Sequence, residues 1–178
     1  ENISKSFIEK EHVLDDISLE IADRAVTSLL APTGFGKTTL LRIIAGVEKP
    51  DKGRVFFGEK DVTELPTQKR NVAMVFQSFA LYPNMTTYEN IASPLKLMRL
   101  PGGEIEERVG KQADSLGIKT LLDKYPHELS GGMKQRVCIA ASIAMHPKVI
   151  IADEPTSALD VVTQRQVMQT IGRLQEEL

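Results

Sequence analysis

The chain has 178 residues, of which 42% are hydrophobic and 26% are charged, as is ordinary for a soluble globular protein. This length favours one domain with a well-buried core over two separate domains. A net charge of -2 at pH 7 provides no overall attraction to nucleic acid or to an anionic membrane, and no run of about 18 apolar residues predicts a membrane-spanning helix.

The N-terminal part of the sequence predicts strands followed by a glycine-rich loop and a helix. Apolar residues alternate loosely over 14–21, and a compact apolar run occupies 25–30, just before Pro32. Both patterns are typical of strands. Helical spacing of apolar residues then predicts a helix over 37–46, with Gly46 as its end.

Three further strands are predicted along the chain. Turn residues precede a short strand over 54–57, and an apolar run over 72–76 indicates another. The run of Val and Ile within 148–152 is typical of a strand buried on both faces.

The segments between and after these strands have helical patterns. Thr86 and Glu89 form a possible capping box ahead of a helix over 91–97. A second helix is predicted over 104–116, and a final helix over 161–178. Helices inserted between strands predict an α/β core with a helical insertion.

Residues 31–39, APTGFGKTT, match the P-loop pattern except at the first position, where Ala31 replaces glycine. Gly34 and Gly36 let backbone N–H groups converge on a phosphate, while Lys37 adds a positive charge and Thr38 a hydroxyl ligand for Mg²⁺. Alanine costs about 1 kcal/mol there only if its backbone needs positive φ. A chance glycine turn is disfavoured by the apolar segments on both sides, so the loop predicts nucleotide binding.

A second motif is the heptad over 129–135, LSGGMKQ, which precedes the apolar strand that ends at Asp153 and Glu154. A serine followed by two glycines at the start of a predicted helix offers N–H groups and a positive helix end to an anion. Together with the P-loop, this heptad resembles the ATP-binding-cassette family, the ATPase subunits of ABC transporters. The resemblance covers nearly the whole chain.

The resemblance implies an α/β fold with a P-loop NTPase core, a mainly parallel sheet, an N-terminal antiparallel β portion and an inserted helical subdomain. The core is predicted to comprise 1–77 and 148–178, and the helical subdomain with the signature heptad 78–147. The family places a switch histidine on a strand that would follow Leu178, so we expect the sequence to be a fragment that lacks this histidine.

Two carboxylates and a glutamine are the predicted centre of catalysis. Asp153 ends an apolar strand, where α/β sheets place ligand-binding residues, and resembles the residue that holds Mg²⁺. Glu154 resembles the general base for the water that attacks the γ-phosphate. Such a pair is often only a charged strand end, but the following residues 155–160 favour catalysis. Gln77 resembles the glutamine that touches Mg²⁺ and links the core to the insertion, although such a residue is often a solvated loop residue.

The remaining predicted contacts also follow from the resemblance. Phe7 either stacks on adenine or packs in a core, and Asp160 either runs along a dimer seam or caps a helix. The predicted catalytic residues are Glu154, Gln77 and Lys37, and the predicted Mg²⁺ ligands are Thr38, Gln77 and Asp153. The predicted ATP-binding residues are Phe7, Thr33, Gly34, Phe35, Gly36, Lys37, Thr38, Thr39, Ser130, Gly131, Gly132, Gln135 and Asp160.

The function implied is that of an ATP-hydrolysing subunit that energises an ABC importer through ATP-driven dimerisation. Ser130 and Gly132 of one subunit are expected to meet ATP bound at Lys37 of a second, identical or different, subunit. Transmembrane permease subunits are the other expected partners, with a cytoplasmic location at the membrane and no nucleic acid. The alternatives are a nucleotide-binding module with little turnover and a soluble ABC ATPase acting on ribosomes or DNA.

The sequence leaves the transported substrate open. The segments 72–77 and 80–83 resemble sugar- or polyamine-importer ATPases, whereas 151–161 resembles oligopeptide-importer ATPases. The side chains of Tyr82, Met85 and Leu95 either line a groove for a permease helix or pack the insertion. The single cysteine fits a reducing compartment and a packing role.

Overall fold

A computed structural model of the chain describes residues 1–8, 11–23, 25–32, 34–76, 78–156, 159–162, 164–165, 167–169 and 172. The chain divides into two compact units, Glu1–Val72 and Ala73–Glu177. The first unit contains the P-loop sequence, and the second contains the signature heptad and the two adjacent carboxylates. None of the helices among the described residues is long and apolar enough to cross a membrane.

An antiparallel strand pair begins the first unit. Strand β1 (Ile3–Ile8) pairs with β2 (Glu11–Ile17), and shifts in register interrupt the ladder. This pair is the predicted N-terminal antiparallel portion. The prediction of a strand over 14–21 is wrong beyond residue 17, because Leu19 and Ile21 are 43% and 49% exposed and lie outside the ladder.

The predicted strand over 25–30 is also wrong, since the structure assigns no strand to these residues. Val26 and Leu30 are 58% and 91% exposed, whereas Leu29 packs against the core of this unit. An apolar run becomes a strand only when a neighbouring backbone completes its hydrogen bonds. Among the described residues of 25–30, the backbone makes no such ladder.

The helix after the P-loop is α1 (Lys37–Ala45), and Gly46 ends it with a left-handed φ of 78°, as the sequence predicts. The other regular elements of the unit are a short hairpin and a short helix. The hairpin pairs β3 (Phe56–Phe57) with β4 (Lys60–Asp61), and the helix is α2 (Thr67–Arg70). The strand predicted over 54–57 is therefore only half as long as expected. The core of this unit consists of Ile3, Leu14, Leu40, Ile43, Val55 and Val62.

A second strand pair consists of β5 (Val72–Val75) and β6 (Val149–Ala152). Both strands lie within one residue of their predicted bounds. Of the four residues of β6, only Ile151 is fully buried, so the described residues differ from the expected burial on both faces.

Three helices dominate the second unit: α3 (Thr87–Leu97), α4 (Gly102–Ser115) and α5 (Gly131–Ala144). The predicted capping box is present, because the Thr86 side chain accepts from Glu89 N at 3.2 Å and the Glu89 carboxylate accepts from Thr86 N at 2.8 Å. Short 3₁₀ turns at Lys119–Leu121 and Pro126–Glu128 connect α4 to α5. The helices pack around Ile91, Leu95, Val109, Val137, Ala140 and Ala144.

The described positions of the predicted final helix are helical at 161–162, 164–165, 167–169 and 172. Val167 is fully buried in the core of the second unit. The remaining positions of this helix lie outside the described residues.

Candidate nucleotide-binding site

The amino end of α1 follows a glycine in a left-handed conformation. Gly36 is the N-cap residue, with φ of 77°, and no side chain caps the helix. A Cβ on Gly36 would lie 2.6 Å from Val13 O and 2.7 Å from Leu14 Cδ2, so only glycine lets the loop approach strand β2 this closely. The first N–H groups of a helix have no partner within the helix, and they attract anions such as phosphate.

Lys37 is the first residue of α1, and its ammonium lies over the loop. Its Nζ donates to Ala31 O at 2.6 Å and to Pro32 O at 3.0 Å. The loop closes between these residues, because Phe35 N donates to Pro32 O at 3.3 Å. The structure therefore places a cation at the helix end that attracts anions, as the sequence predicts.

Ala31 causes no backbone strain in this loop. It is not among the described non-glycine residues with positive φ, whereas Gly34 has φ of 88°. The energetic cost that alanine would have at a left-handed position therefore does not apply to Ala31. Phe35 is 68% exposed, and both Thr38 and Thr39 are half-buried.

Phe7 lies on β1 with its ring 59% exposed. This exposure excludes the alternative that Phe7 is a core residue. Lys5 Nζ lies 5.4 Å from the centroid of the ring, a cation–π arrangement that covers part of it. The exposed ring is available for stacking, and the adenine contact stays a prediction.

The two carboxylates follow β6 directly and differ in exposure. Asp153 is 5% exposed, and its N–H donates to Val75 O at 2.9 Å, which extends the contact between the two strands. Glu154 is exposed and has a φ of 48°. A left-handed backbone is uncommon for glutamate, and such residues cluster at functional sites.

Some predicted site residues lie outside the described part of the chain. These are Thr33 of the P-loop and Gln77, together with Ser157 and Ala158 of the segment after Glu154. Their roles therefore stay predictions.

The signature heptad forms the start of α5. Ser130 is the N-cap, and its hydroxyl accepts from Met133 N at 3.3 Å, while Gly131 and Gly132 occupy the first turn. Gln135 differs from expectation, because it is only 1% exposed. Its Nε2 is the single buried side-chain nitrogen or oxygen without a hydrogen-bond partner among the described residues. A side chain this buried is poorly placed to contact a nucleotide on another subunit, whereas the glycines are not.

One glutamine bonds to two described residues that follow the carboxylates. Gln164 Nε2 donates to Thr156 O at 3.0 Å, and Gln164 N donates to Asp160 O at 2.8 Å. Leu159 N also donates to Thr156 O, at 3.1 Å. Asp160 is exposed and directly precedes a helical turn, as a helix N-cap does, and its place along a dimer seam stays a prediction.

Two side chains for which the sequence provides little signal organise the surroundings of the site. Arg70, 3% exposed, lies beneath the P-loop helix, and Asn90, 4% exposed, holds the segment before α3. The amide of Asn90 accepts from Tyr82 N at 2.7 Å and donates to Met85 O at 3.0 Å and Thr86 O at 2.9 Å. Asparagine and arginine inside helices are common on exposed faces, so composition alone does not indicate these buried roles.

Three other residues have clear positions in the second unit. Leu95 is fully buried in the core, which rules it out as a groove residue, whereas Tyr82 is 55% exposed and Met85 is half-buried. Cys138 packs in the interior, and burial raises the pKa of its thiol to about 11. The predicted packing role of Cys138 is confirmed.

Comparison with known proteins identifies the family. The ABC transporter family profile matches residues 14–157, which include both motifs and both carboxylates. The chain belongs to the ABC transporter family. Its curated relatives include the Fe(3+) ions import ATP-binding protein of Vibrio cholerae, 42% identical over 98% of this chain and 50% of that protein. The trehalose/maltose import ATP-binding protein of Thermococcus litoralis is 45% identical over 92% of this chain and 45% of that protein.

Solved structures of ABC cassettes share the fold. The ATP-binding cassette MJ0796, in a dimeric post-hydrolysis state bound to ADP and Pi, has a TM-score of 0.87 and 32% identity, covering 99% of this chain and 82% of that one. The cbiO1 protein of Clostridium perfringens has a TM-score of 0.90 and 34% identity, covering 100% of this chain and 73% of that one. The predicted α/β P-loop NTPase fold is thereby confirmed. The chain spans about half the length of the curated relatives it matches.

Proposed function

We propose that this chain binds and hydrolyses ATP as the cassette subunit of an ABC importer. The observation that carries the proposal is the amino end of α1, where Gly36 leaves the helix uncapped and Lys37 lies over the P-loop. This is the combination of backbone donors and a point charge that binds the phosphates of a nucleotide. Family membership and the cassette structure bound to ADP and Pi support the same ligand.

The predicted site residues are assigned the following parts in this chemistry. The amino end of α1 and Lys37 bind the phosphates of the substrate ATP, and the exposed ring of Phe7 stacks on the adenine. Glu154 is the general base that accepts the proton of the attacking water. Thr38, Asp153 and Gln77 are the proposed ligands of Mg²⁺, since hydroxyl, carboxylate and amide oxygens are the donors that this ion prefers, and Mg²⁺ would supply charge neutralisation to the phosphates.

The signature heptad is proposed to act on a nucleotide that a second subunit holds. Ser130 is exposed at the amino end of α5, and Gly131 and Gly132 leave its first two helical positions without side chains. Two such ends would bind two nucleotides in a dimer, and the dimeric cassette MJ0796 supports this arrangement. Asp160 is proposed to lie along the seam of that dimer.

The import role and the partners are inferred from the relatives. The curated relatives have names of import ATP-binding proteins for Fe(3+), trehalose/maltose, spermidine/putrescine and sulfate/thiosulfate. Relatives with such different cargoes have about the same sequence identity to the chain, so the cassette itself is not expected to select the cargo. We therefore assign permease subunits as the partners that select the cargo, with the chain at the cytoplasmic face of the membrane. Residues 1–77 and 148–178 are proposed as the ATPase core, and residues 78–147 as the helical subdomain.

Steady-state ATP hydrolysis tests the proposal directly. The chain is expected to hydrolyse MgATP, and Glu154→Gln is expected to reduce hydrolysis at least 100-fold while MgATP binding changes less than threefold. Glu107→Gln is the matched control, since Glu107 is an exposed glutamate on α4. Binding without hydrolysis in the unmodified protein would instead favour a nucleotide-binding module, and unchanged hydrolysis in Glu154→Gln would remove Glu154 from the base role.

A further inference from the structure

Arg70 is a buried cation that makes four hydrogen bonds in the first unit. It is the last residue of α2 and is 3% exposed. Its Nε donates to Leu65 O at 2.8 Å, its Nη1 donates to Ile43 O at 2.7 Å and Ile44 O at 2.9 Å, and its Nη2 donates to Thr63 O at 2.7 Å. Every nitrogen of the guanidinium therefore has a backbone carbonyl as its partner.

These carbonyls belong to two different segments. Ile43 and Ile44 are in the last turn of α1, where the helix dipole is negative, and Ile43 O also accepts from Gly46 N at 3.1 Å. Thr63 and Leu65 belong to the segment between β4 and α2. The guanidinium thus ties the carboxyl end of the P-loop helix to residues 63–65.

Gly46 makes this approach possible. A Cβ added to Gly46 would lie 2.8 Å from Arg70 Cζ and would also overlap Arg70 Nε. Gly46 also has φ of 78°, a conformation that side chains rarely adopt. The glycine that ends α1 and the arginine that ends α2 therefore form one contact.

The helix that Arg70 holds is the one whose amino end binds phosphate in the proposed function. Helix α1 has nine residues and is about 13 Å long at 1.5 Å per residue, so a tilt at one end displaces the other. We propose that Arg70 is a positioning residue for nucleotide binding, which holds the carboxyl end of α1 so that its amino-terminal N–H groups face the phosphates. This inference rests on the proposed function.

The chemistry of arginine agrees with a positioning role. An apolar side chain could fill the same volume without the cost of burying a charge. The planar guanidinium instead supplies donors in fixed directions, which a flexible lysine ammonium cannot reproduce. Burial lowers the pKa of Arg70, but that pKa is normally so high that the group stays charged at neutral pH.

Titration of the full chain with MgATP in a calorimeter tests the inference. The titration is run well below the melting temperature of the chain. Arg70→Met, which keeps the volume and removes every donor, is expected to bind MgATP at least tenfold more weakly. Arg70→Lys keeps the charge and loses the planar, forked set of donors of the guanidinium. Its affinity for MgATP is expected to lie between those of Arg70→Met and the unmodified chain.

A matched control separates positioning from stability. Ile3 lies in the same core, on β1, so Ile3→Val or Ile3→Ala is chosen to match the melting temperature of the Arg70 variant. The control is expected to bind MgATP within twofold of the unmodified chain. Equal losses in the control and in Arg70→Met, or no loss in Arg70→Met, would overturn the inference.

Two outcomes keep the inference distinct from the proposed function. If the unmodified chain does not bind MgATP, the proposed function itself fails. If it binds MgATP but the affinity is insensitive to Arg70, only the positioning role fails. Should Arg70→Met not fold, Arg70→Lys decides, because an affinity equal to that of the unmodified chain in this variant would exclude a role for the fork.

Discussion

Replacing Gly36 by alanine is expected to destabilise the first unit far more than the same change at Gly34. Both glycines have positive φ, 77° and 88°, so both substitutions place a side chain in a left-handed backbone, which costs about 1–2 kcal/mol. The two positions differ in the space available for a Cβ atom. A Cβ on Gly36 would lie 2.6 Å from the carbonyl oxygen of Val13, whereas a Cβ on Gly34 would meet nothing within 4 Å.

The contact at Gly36 sets the size of the difference. Real Cβ atoms essentially never approach other atoms this closely, so α1 or strand β2 has to move. Displacing a packed backbone costs about 1–3 kcal/mol in addition to the strain. Gly36→Ala is therefore expected to lose about 2–5 kcal/mol of unfolding free energy, and Gly34→Ala only about 1–2 kcal/mol.

Urea unfolding of the two variants beside the unmodified chain measures this difference. The Gly34 variant is the internal control, since it shares the backbone strain and lacks the steric contact. Equal losses in the two variants would refute the reasoning, because strain alone would then explain both. A smaller loss at Gly36 than at Gly34 would show that the close approach to β2 is not present in solution.

Other expectations follow from the P-loop and from the ion pairs of the first unit. Ala31→Gly is expected to change MgATP affinity less than tenfold, because Ala31 has no left-handed strain to relieve; a larger gain, measured by calorimetry, would contradict this. Lys37→Met is expected to weaken MgATP binding at least tenfold, whereas Lys60→Met on the exposed hairpin leaves it unchanged, and equal effects in that titration would exclude a special role for Lys37. The hydrogen bond from Lys5 lowers the pKa of Glu48, so this carboxylate stabilises the fold above its usual pKa, and the contribution is lost as pH falls through the lowered value. Glu48→Gln is accordingly expected to lower the melting temperature at pH 7 but not at pH 2, and equal shifts at both pH values would show that the charge is irrelevant.

The sequence predicts those parts of the site that local chemistry determines. A helix that starts after glycine and ends at glycine is local, and α1 extends from Lys37 to Ala45 as predicted. The capping box of α3 depends on Thr86 and Glu89 alone, and it is present. The exposure of Phe7 and the backbone conformation of Ala31 are not determined by a local motif, and the sequence leaves both open.

Buried polar side chains show why other parts of the site escape prediction. Arg70 and Asn90 belong to residue types that are usually exposed, and their partners are backbone groups, which have no sequence signature. Ile43 is 27 residues from Arg70, so no local pattern connects them. Gln135 is the converse case, since a motif at the start of a helix suggested a surface role for a side chain that faces inward.

The strands follow the same division between local tendency and distant partner. The apolar runs that became β5 and β6 resemble the run over 25–30, yet only the first two form a ladder. An apolar run indicates that a segment favours burial. A strand also requires the backbone of a neighbouring strand at a spacing of about 4.8 Å. Asp153 N donates to Val75 O because β5 lies beside β6, and this hydrogen bond fixes the backbone of Asp153. The pairing of β5 with β6 therefore positions Asp153, the proposed Mg²⁺ ligand, whereas the sequence alone predicts this residue and not the strand beside it.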